Sequence, residues 1–139
     1  MGRTIVQHEG GMVFRGTGAS GHGVLMDASR EVGGGDSAAR PVEVMLSALG
    51  GCTRMDVISV LRKMKSEPVA MRIEIEDERA PDYPKVITEL HLIYIIEGDV
   101  SEENAAKAVD LSLARYCPIA NTLTGVARIT SEIRIVPPQ

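Results

Sequence analysis

The sequence predicts an α+β fold in which antiparallel sheets accompany one long helix. Two observations indicate this class. Short alternating segments occur in hairpin-like succession without the regular strand and helix alternation of a doubly wound sheet, and one helical run continues from Pro41 with no further proline until Pro68. With 139 residues, 44% of them hydrophobic and 24% charged, the chain fits one folded domain, residues 1–139.

The chain opens with three short segments, residues 4–8, 11–16 and 22–27, in which apolar and polar side chains mix between glycine-rich turns. These segments predict a small antiparallel meander. Residues 28–40 contain a triple glycine and few side chains suited to burial. They predict a mobile surface loop that ends at Pro41, where a helix can begin.

The long helix is predicted over residues 41–65 and changes character along its length. Between Val42 and Leu49 apolar residues lie nearly all round the helix, which predicts burial on every side. After Gly50-Gly51 the pattern is amphipathic, with Arg54 and Asp56 on the polar face. Glycine costs about 1 kcal/mol relative to alanine inside a helix, so this pair should permit close packing, a kink or space beside the next residue.

The second half of the chain predicts a hairpin, helices and a final strand. Residues 69–75 and 86–96 alternate as strands do, and His91 shares a strand face with Glu89, which predicts a solvated or hydrogen-bonded histidine. A helix is predicted over residues 101–115. Proline disfavours helical geometry in the residue before it, so the helix should break at Tyr116-Cys117-Pro118. The remaining predicted elements are a short helix over residues 119–123 and a strand over residues 127–136.

Charge and composition exclude several classes of partner. The formal net charge is −4, so the chain offers little to neutralise a phosphate backbone or an acidic lipid surface, and neither nucleic acid nor membrane is expected as a partner. No run of about 20 apolar residues and no signal-peptide pattern is evident, which predicts a cytoplasmic location. Aromatic residues make up only 3% of the chain, so its hydrophobic core contains little aromatic surface. A small domain of this kind favours sharing its core with a second copy, as in a homodimer.

Two cysteines, Cys52 and Cys117, have three interpretations: inert core residues, metal ligands or a reactive pair. Isolated histidines at positions 8, 22 and 91 do not complete a zinc spacing, so neither a metal nor another cofactor is expected. Cys117 precedes a proline at a predicted helix N-terminus, where the helix dipole should stabilise a thiolate. Cys52 follows two glycines, so its thiol should be accessible to a reactant. The sequence therefore leaves two main interpretations open, a redox-active pair and two structural cysteines.

A reactive thiolate requires a cation and a polar group to organise its site. The candidate cations are Arg15, Arg30, Arg40 and Arg54. Glu43 is the acid in the apolar first half of the long helix, where it either serves the site or favours the helix dipole. Nine residues of helix separate Glu43 from Cys52, about 900° of rotation and roughly 13 Å of rise. The two could meet only if the helix breaks or if Glu43 comes from a second chain.

The run Pro41–Thr53, together with Tyr116-Cys117-Pro118-Ile119, closely resembles the OsmC/Ohr family of bacterial osmotically inducible and organic-hydroperoxide-resistance proteins. The element order is similar over about residues 10–136. The resemblance implies an intertwined homodimer, with two long helices packed centrally, antiparallel sheets wrapped around them and two active sites at the subunit interface. The sequence Leu49-Gly50-Gly51-Cys52-Thr53 differs from that of the peroxidase branches and is typical of a divergent branch.

The resemblance also implies a chemistry. Cys52 would attack an organic hydroperoxide and become a sulfenic acid, Cys117 would resolve it as a disulfide, and a dithiol such as a lipoyl protein would reduce that disulfide. Arg15 and Glu43 match the family's organising arginine and glutamate. The expected function is therefore a thiol peroxidase for oxidative-stress defence. The alternatives are a redox-sensing or ligand-binding protein on the same scaffold, and cysteines that only pack.

Overall fold

The computed structural model describes residues 2–138 and has the predicted α+β class. The chain divides into two compact units, one up to Ser47 and one from Ala48 onward. The elements in chain order are β1 (Ile5–Gly10), β2 (Val13–Thr17), β3 (Gly23–Met26), α1 (Pro41–Lys63), β4 (Ala70–Arg79), β5 (Ile87–Glu97), α2 (Glu102–Leu111), α3 (Pro118–Leu123) and β6 (Arg128–Val136). A 3-10 turn spans Arg30–Val32, and a π-helical turn spans Ser112–Tyr116.

The first unit contains the predicted meander. Strands β1, β2 and β3 form one antiparallel sheet in that order. Arg15 lies opposite Gln7 on β1 and opposite Leu25 on β3, so it sits in the middle strand. Large apolar side chains on this sheet remain exposed in the single chain: Ile5, Val6, Phe14, Val24 and Leu25.

The glycine-rich segment after β3 offers little to bury, as expected, since residues 28–40 are all half-buried or exposed, and it is organised around the buried carboxylate of the residue before it. Asp27 is 2% exposed. Its carboxylate accepts hydrogen bonds from the backbone N–H groups of Ala28, Gly35 and Ser37 and from the Ser37 hydroxyl. A side chain at Gly34 would meet the Ala28 carbonyl oxygen at 2.0 Å, so only glycine fits there. Glycines in this segment therefore permit a compact turn.

These hydrogen bonds predict an acid-sensitive loop. The Ser37 hydroxyl, the Ser37 and Ala28 N–H groups and the weaker bond from Gly35 lower the pKa of Asp27 from 3.8 to about 2. Because the folded pKa lies below the unfolded one, the stabilisation is complete above about pH 4 and is lost as the pH falls towards 2. We expect the amide resonances of Gly35 and Ser37 to titrate over that range in NMR spectra. Asp27→Asn should remove the titration, and unchanged resonances in the native protein between pH 5 and 2 would contradict the assignment.

Helix α1 begins with a capping hydrogen bond at its first turn. Glu43 accepts a hydrogen bond from the Arg40 backbone N–H at 3.1 Å, which is the carboxylate half of a capping box. The helix then continues without interruption to Lys63, so the break that would let Glu43 reach Cys52 within one chain is absent.

The expected all-round burial of the first half of α1 is not found. Glu43, Ser47 and Ala48 are exposed, and the fully buried positions lie further along and four residues apart: Leu49, Thr53, Val57 and Leu61. A sequence pattern shows which side chains are apolar but does not show what covers them. The helix is thus buried along one face of the single chain.

Helix α1 also qualifies, by length and composition alone, as a candidate membrane span. Its most apolar window has a mean hydropathy of 1.4, and 22% of that window is buried. The expectation that no segment approaches such a run is therefore wrong. Core helices of soluble proteins satisfy the same criterion, so this finding is weak evidence for a membrane segment.

The second unit contains a three-stranded sheet in the order β4-β5-β6. The predicted hairpin is present, since β4 and β5 pair antiparallel. Strand β6, however, pairs parallel to β5, so this sheet is mixed and not antiparallel throughout. The helical crossover over residues 98–127 explains the direction, because parallel neighbours require such a long connection. His91 contacts Thr130 Oγ1 at 2.7 Å and Glu132 Oε1 at 3.2 Å across this pair, confirming a hydrogen-bonded histidine.

The core of the second unit contains buried side chains of the later part of α1, of β5 and of α2. Arg54 donates from Nε to the Met71 carbonyl at 3.2 Å, so this arginine fastens α1 to β4. The largest fully buried apolar side chains are Tyr94, Leu49, Leu61, Leu90, Leu92, Ile96, Val57 and Val109. This core fixes the position and rotation of the helix that carries Cys52.

Candidate active site

Cys52 lies on α1 directly after the glycine pair and is half-buried. A Cβ atom at Gly50 would lie 3.3 Å from Ile75 Cδ1, which is tighter than ordinary contact, whereas one at Gly51 would meet nothing within 4 Å. Of the three roles considered for these glycines, close packing against β4 therefore applies to Gly50. The helix keeps its course through both residues, so Cys52 is held on a rigid element.

Cys117 lies between the π-helical turn and α3 and is fully buried. Its backbone is extended, with φ −80° and ψ 105°, which confirms the predicted break before Pro118. The Cys117 N–H donates to the Ser112 carbonyl at 2.8 Å, and the thiol sulfur accepts from the Ala120 N–H at 3.3 Å. The sulfur is thus the N-cap of α3 and has a fixed direction.

The predicted stabilisation of a Cys117 thiolate is wrong. Burial, above all, together with the hydrogen bond with Cys52 and the charge of that residue, raises the pKa of the Cys117 thiol from 9.0 to about 11. The N–H groups of Ala120 and Ile119 act in the opposite direction but are outweighed. Because desolvation disfavours the charged form, Cys117 is a neutral thiol at neutral pH.

The two cysteines meet, and a carboxylate joins them. Ligand atoms of Cys52, Asp56 and Cys117 all lie within 4.8 Å of one another. The large separation that would have favoured cysteines that only pack is therefore not found. Asp56 was assigned to the polar face of the helix, but it is half-buried beside both sulfurs. Its spacing of four residues from Cys52, which places both on one helix face, was the available signal.

A chain of buried hydroxyl groups leads to this carboxylate. Thr53 Oγ1 lies 2.7 Å from the Tyr94 hydroxyl and 2.7 Å from Ser112 Oγ. Ser112 in turn donates to Asp56 Oδ2 at 3.0 Å. Burial, above all, raises the pKa of Tyr94 to about 12, so its phenol stays protonated. This network fixes the Asp56 carboxylate and the start of the π-helical turn, and sequence patterns gave no sign of it.

The other two predicted site residues belong to the first unit. Arg15 donates from Nε to Glu9 Oε1 at 2.7 Å, with its side chain 45% exposed. Glu43 caps α1 through the Arg40 N–H, which matches the structural alternative considered for it. Arg40 itself forms an ion pair with Asp36 at 2.6 Å. Each of these residues is thus accounted for by contacts within its own unit.

The thiols of Cys52 and Cys117 and the Asp56 carboxylate could also act as ligands of a thiophilic metal ion. Among residues 2–138, this is the one group of three or more such side chains. Three ligands are one fewer than a structural zinc site uses. The spacing argument against zinc considered the histidines and missed Asp56, because the carboxylate reaches the thiols only in the folded chain.

Comparison with known proteins matches the chain to one family. The family model described as OsmC-like protein matches residues 33–132. Among curated proteins, the chain is similar to Protein YhfA of Escherichia coli strain K12, with 37% identity over 127 residues that cover 91% of this chain and 92% of the relative.

Solved structures agree on the fold. A hypothetical protein of Aquifex aeolicus VF5 has a TM-score of 0.82 and 21% identity, covering 100% of this chain and 97% of its own. An organic hydroperoxide resistance protein OsmC of Legionella pneumophila has a TM-score of 0.69 and 19% identity, covering 95% and 96%. At such identities these structures establish the fold alone.

Proposed function

Since the chain belongs to the OsmC-like family, whose membership indicates a redox role related to stress, we propose that it is a cysteine-based thiol peroxidase that reduces organic hydroperoxides. The observation that carries this proposal is the approach of the Cys52 and Cys117 sulfurs to within 4.8 Å. A disulfide needs the sulfurs at about 2.05 Å, so a small side-chain movement suffices.

The two thiols differ in the ways that the two steps require. Cys52 is half-buried and so open to a substrate, whereas Cys117 is fully buried. The Cys52 thiolate attacks the terminal oxygen of the hydroperoxide, the O–O bond breaks, and Cys52 becomes a sulfenic acid. The departing alkoxide takes up the proton that the Cys52 thiol lost on ionising and leaves as an alcohol. Cys117 then displaces the sulfenic hydroxyl as water and forms the disulfide. Two thiols of an external dithiol, such as a lipoyl protein, return both cysteines to the reduced state.

We further propose a homodimer, and α1 supplies the supporting observation. Opposite its buried face lies an uncharged strip of mostly small residues at helical spacing: Ala48, Gly51, Met55 and Ser59. Met55 is 71% exposed although it is the largest apolar side chain of that strip. A second copy packed on this face would cover it and would allow close approach at the glycine.

The dimer gives Arg15 and Glu43 their proposed roles. Because α1 is unbroken, Glu43 cannot serve the Cys52 of its own chain through a bend at the glycines. We assign it, with Arg15, to organising the hydroperoxide and the thiolate at a site shared between two chains. The proposed location is the cytoplasm, where a reducing environment keeps the free thiols available. The net charge of −4 supports neither nucleic acid nor an anionic membrane as a partner.

Steady-state turnover tests the proposal. With an excess of dithiothreitol or reduced lipoyl protein, we expect the pure protein to consume many equivalents of cumene hydroperoxide per chain. Loss of hydroperoxide and oxidation of the dithiol should match in stoichiometry. A redox sensor would instead stop after one equivalent per chain, and that result would reject the peroxidase and leave the non-catalytic alternative.

A further inference from the structure

The cluster contains one group that the reaction above does not use, the Asp56 carboxylate. It lies within 4.8 Å of both sulfurs, one helical turn after Cys52. A negative charge beside a thiolate repels it, so this carboxylate is unsuited to activating Cys52 as a nucleophile by charge. Its role must therefore lie in a different step or in the structure.

The resolving step needs a proton acceptor. Cys117 must lose its proton to attack, yet at a pKa of about 11 only about one thiol in 10⁴ is ionised at pH 7. The titratable groups next to it are Cys52 and Asp56 on α1 and Tyr94 on β5. Cys52 is by then a sulfenic acid, and the Tyr94 phenol is protonated. The remaining base is the Asp56 carboxylate.

We propose that Asp56 is the proton acceptor and donor of the resolving step, an inference that rests on the proposed function. As the Cys117 sulfur attacks the Cys52 sulfenic sulfur, its proton passes to the Asp56 carboxylate. The S–O bond breaks, the S–S bond forms, and Asp56 delivers the proton to the departing oxygen, which leaves as water. Atoms and electrons balance: the sulfenic sulfur is reduced, the thiol sulfur is oxidised, and Asp56 returns to a carboxylate.

The surroundings of Asp56 fit this role. The Ser112 hydroxyl holds Oδ2 at 3.0 Å, and Ser112 is fixed by Thr53, so the carboxylate has a defined orientation. A separation of up to 4.8 Å from each sulfur is short enough for one water molecule, or a rotation of the side chain, to span it. Ser112 also begins the π-helical turn that leads to Cys117, so carboxylate and thiol are tied to the same element.

Single-turnover kinetics of Asp56→Asn test the proposal. Reduced protein is mixed with one equivalent of hydroperoxide, and the Cys52 sulfenic acid is trapped with dimedone at intervals and measured by intact mass. The amide keeps an oxygen for Ser112 but cannot accept the thiol proton. Proton transfer by a positioned group contributes about 10²-fold or more, so we expect disulfide to form about 100-fold more slowly at pH 7. Sulfenic acid should form at least as fast as in the native protein, because the substitution removes a negative charge beside the Cys52 thiolate.

The pH profile separates a proton acceptor from a structural support. Between pH 7 and 9 the Asp56→Asn resolving rate should rise about tenfold per pH unit, because attack then depends on the Cys117 thiolate, while the native rate stays nearly flat. Asp110→Asn, the same change at an exposed position of α2, should behave as the native protein. Ser112→Ala, which keeps the Asp56 carboxylate but removes the hydroxyl that orients it, should keep the flat profile.

Two results would overturn the role of Asp56: native-like resolution in Asp56→Asn, or slow resolution with a pH slope equal to that of the native protein. Failure of the proposed function would be seen separately, as an absence of turnover with organic hydroperoxides. Hydrogen peroxide also converts thiolates to sulfenic acids. Hydrogen peroxide can therefore be used to form the Cys52 sulfenic acid and to measure the resolving step, whichever hydroperoxide the protein reduces.

Discussion

Cys52→Ser is expected to reduce hydroperoxide consumption to the uncatalysed rate, whereas Cys117→Ser should still consume one equivalent per chain and then stop. A serine hydroxyl is a far weaker nucleophile than a thiolate at neutral pH and cannot form a sulfenic acid. In Cys117→Ser the nucleophile remains, but the buried hydroxyl at position 117 cannot form a disulfide. The sulfenic acid of Cys52 should therefore accumulate and react with dimedone.

The two variants are matched, because each exchanges one sulfur for one oxygen at a site of the same cluster. Intact mass after one equivalent of hydroperoxide gives the readout: disulfide in the native protein, dimedone adduct in Cys117→Ser, and no modification in Cys52→Ser. The opposite assignment, with adduct in Cys52→Ser and none in Cys117→Ser, would make the buried thiol the nucleophile. Thermal unfolding of each variant shows whether its fold is intact.

Both cysteines were identifiable from the sequence because local backbone chemistry marks them. Gly50-Gly51 interrupts an otherwise apolar helical pattern just before Cys52, and Pro118 forces an extended backbone at Cys117. Such effects depend on one or two neighbouring residues, so they can be recognised in the sequence without knowledge of the tertiary structure. The same holds for the alternating strands, whose approximate bounds were predicted from a period of two.

Features that depend on contacts between distant segments were missed. The pattern of α1 placed Asp56 on its polar face, but only folding shows that this face meets Cys117, 61 positions later in the chain. The dipole argument for a Cys117 thiolate was sound locally and failed because burial dominates its pKa. Likewise, alternation identified β6 as a strand and could not reveal that it pairs parallel with β5.

Met55→Lys is expected to dissociate the proposed homodimer. In a dimer packed through the uncharged strip of α1, this side chain would lie between the two helices. An ammonium group buried there without a partner costs several kcal/mol, which weakens association by at least about 100-fold. Light scattering after size-exclusion chromatography should then give the mass of one chain for the variant at micromolar concentration, and of two chains for the native protein.

Val69→Lys is the matched control, because Val69 is also apolar and also 71% exposed in the single chain but precedes β4 and does not belong to the strip. It should remain dimeric, since its backbone bond to Glu97 is kept and no interface is proposed there. A native chain that is monomeric would reject the dimer itself. A dimeric Met55→Lys would instead show that the interface does not lie on this strip of α1.

If Glu43 acts across the α1 interface, Met55→Lys should also lose peroxidase turnover. Cys52 should nevertheless still react with an alkylating agent, and this reaction distinguishes loss of the dimer from loss of the thiol.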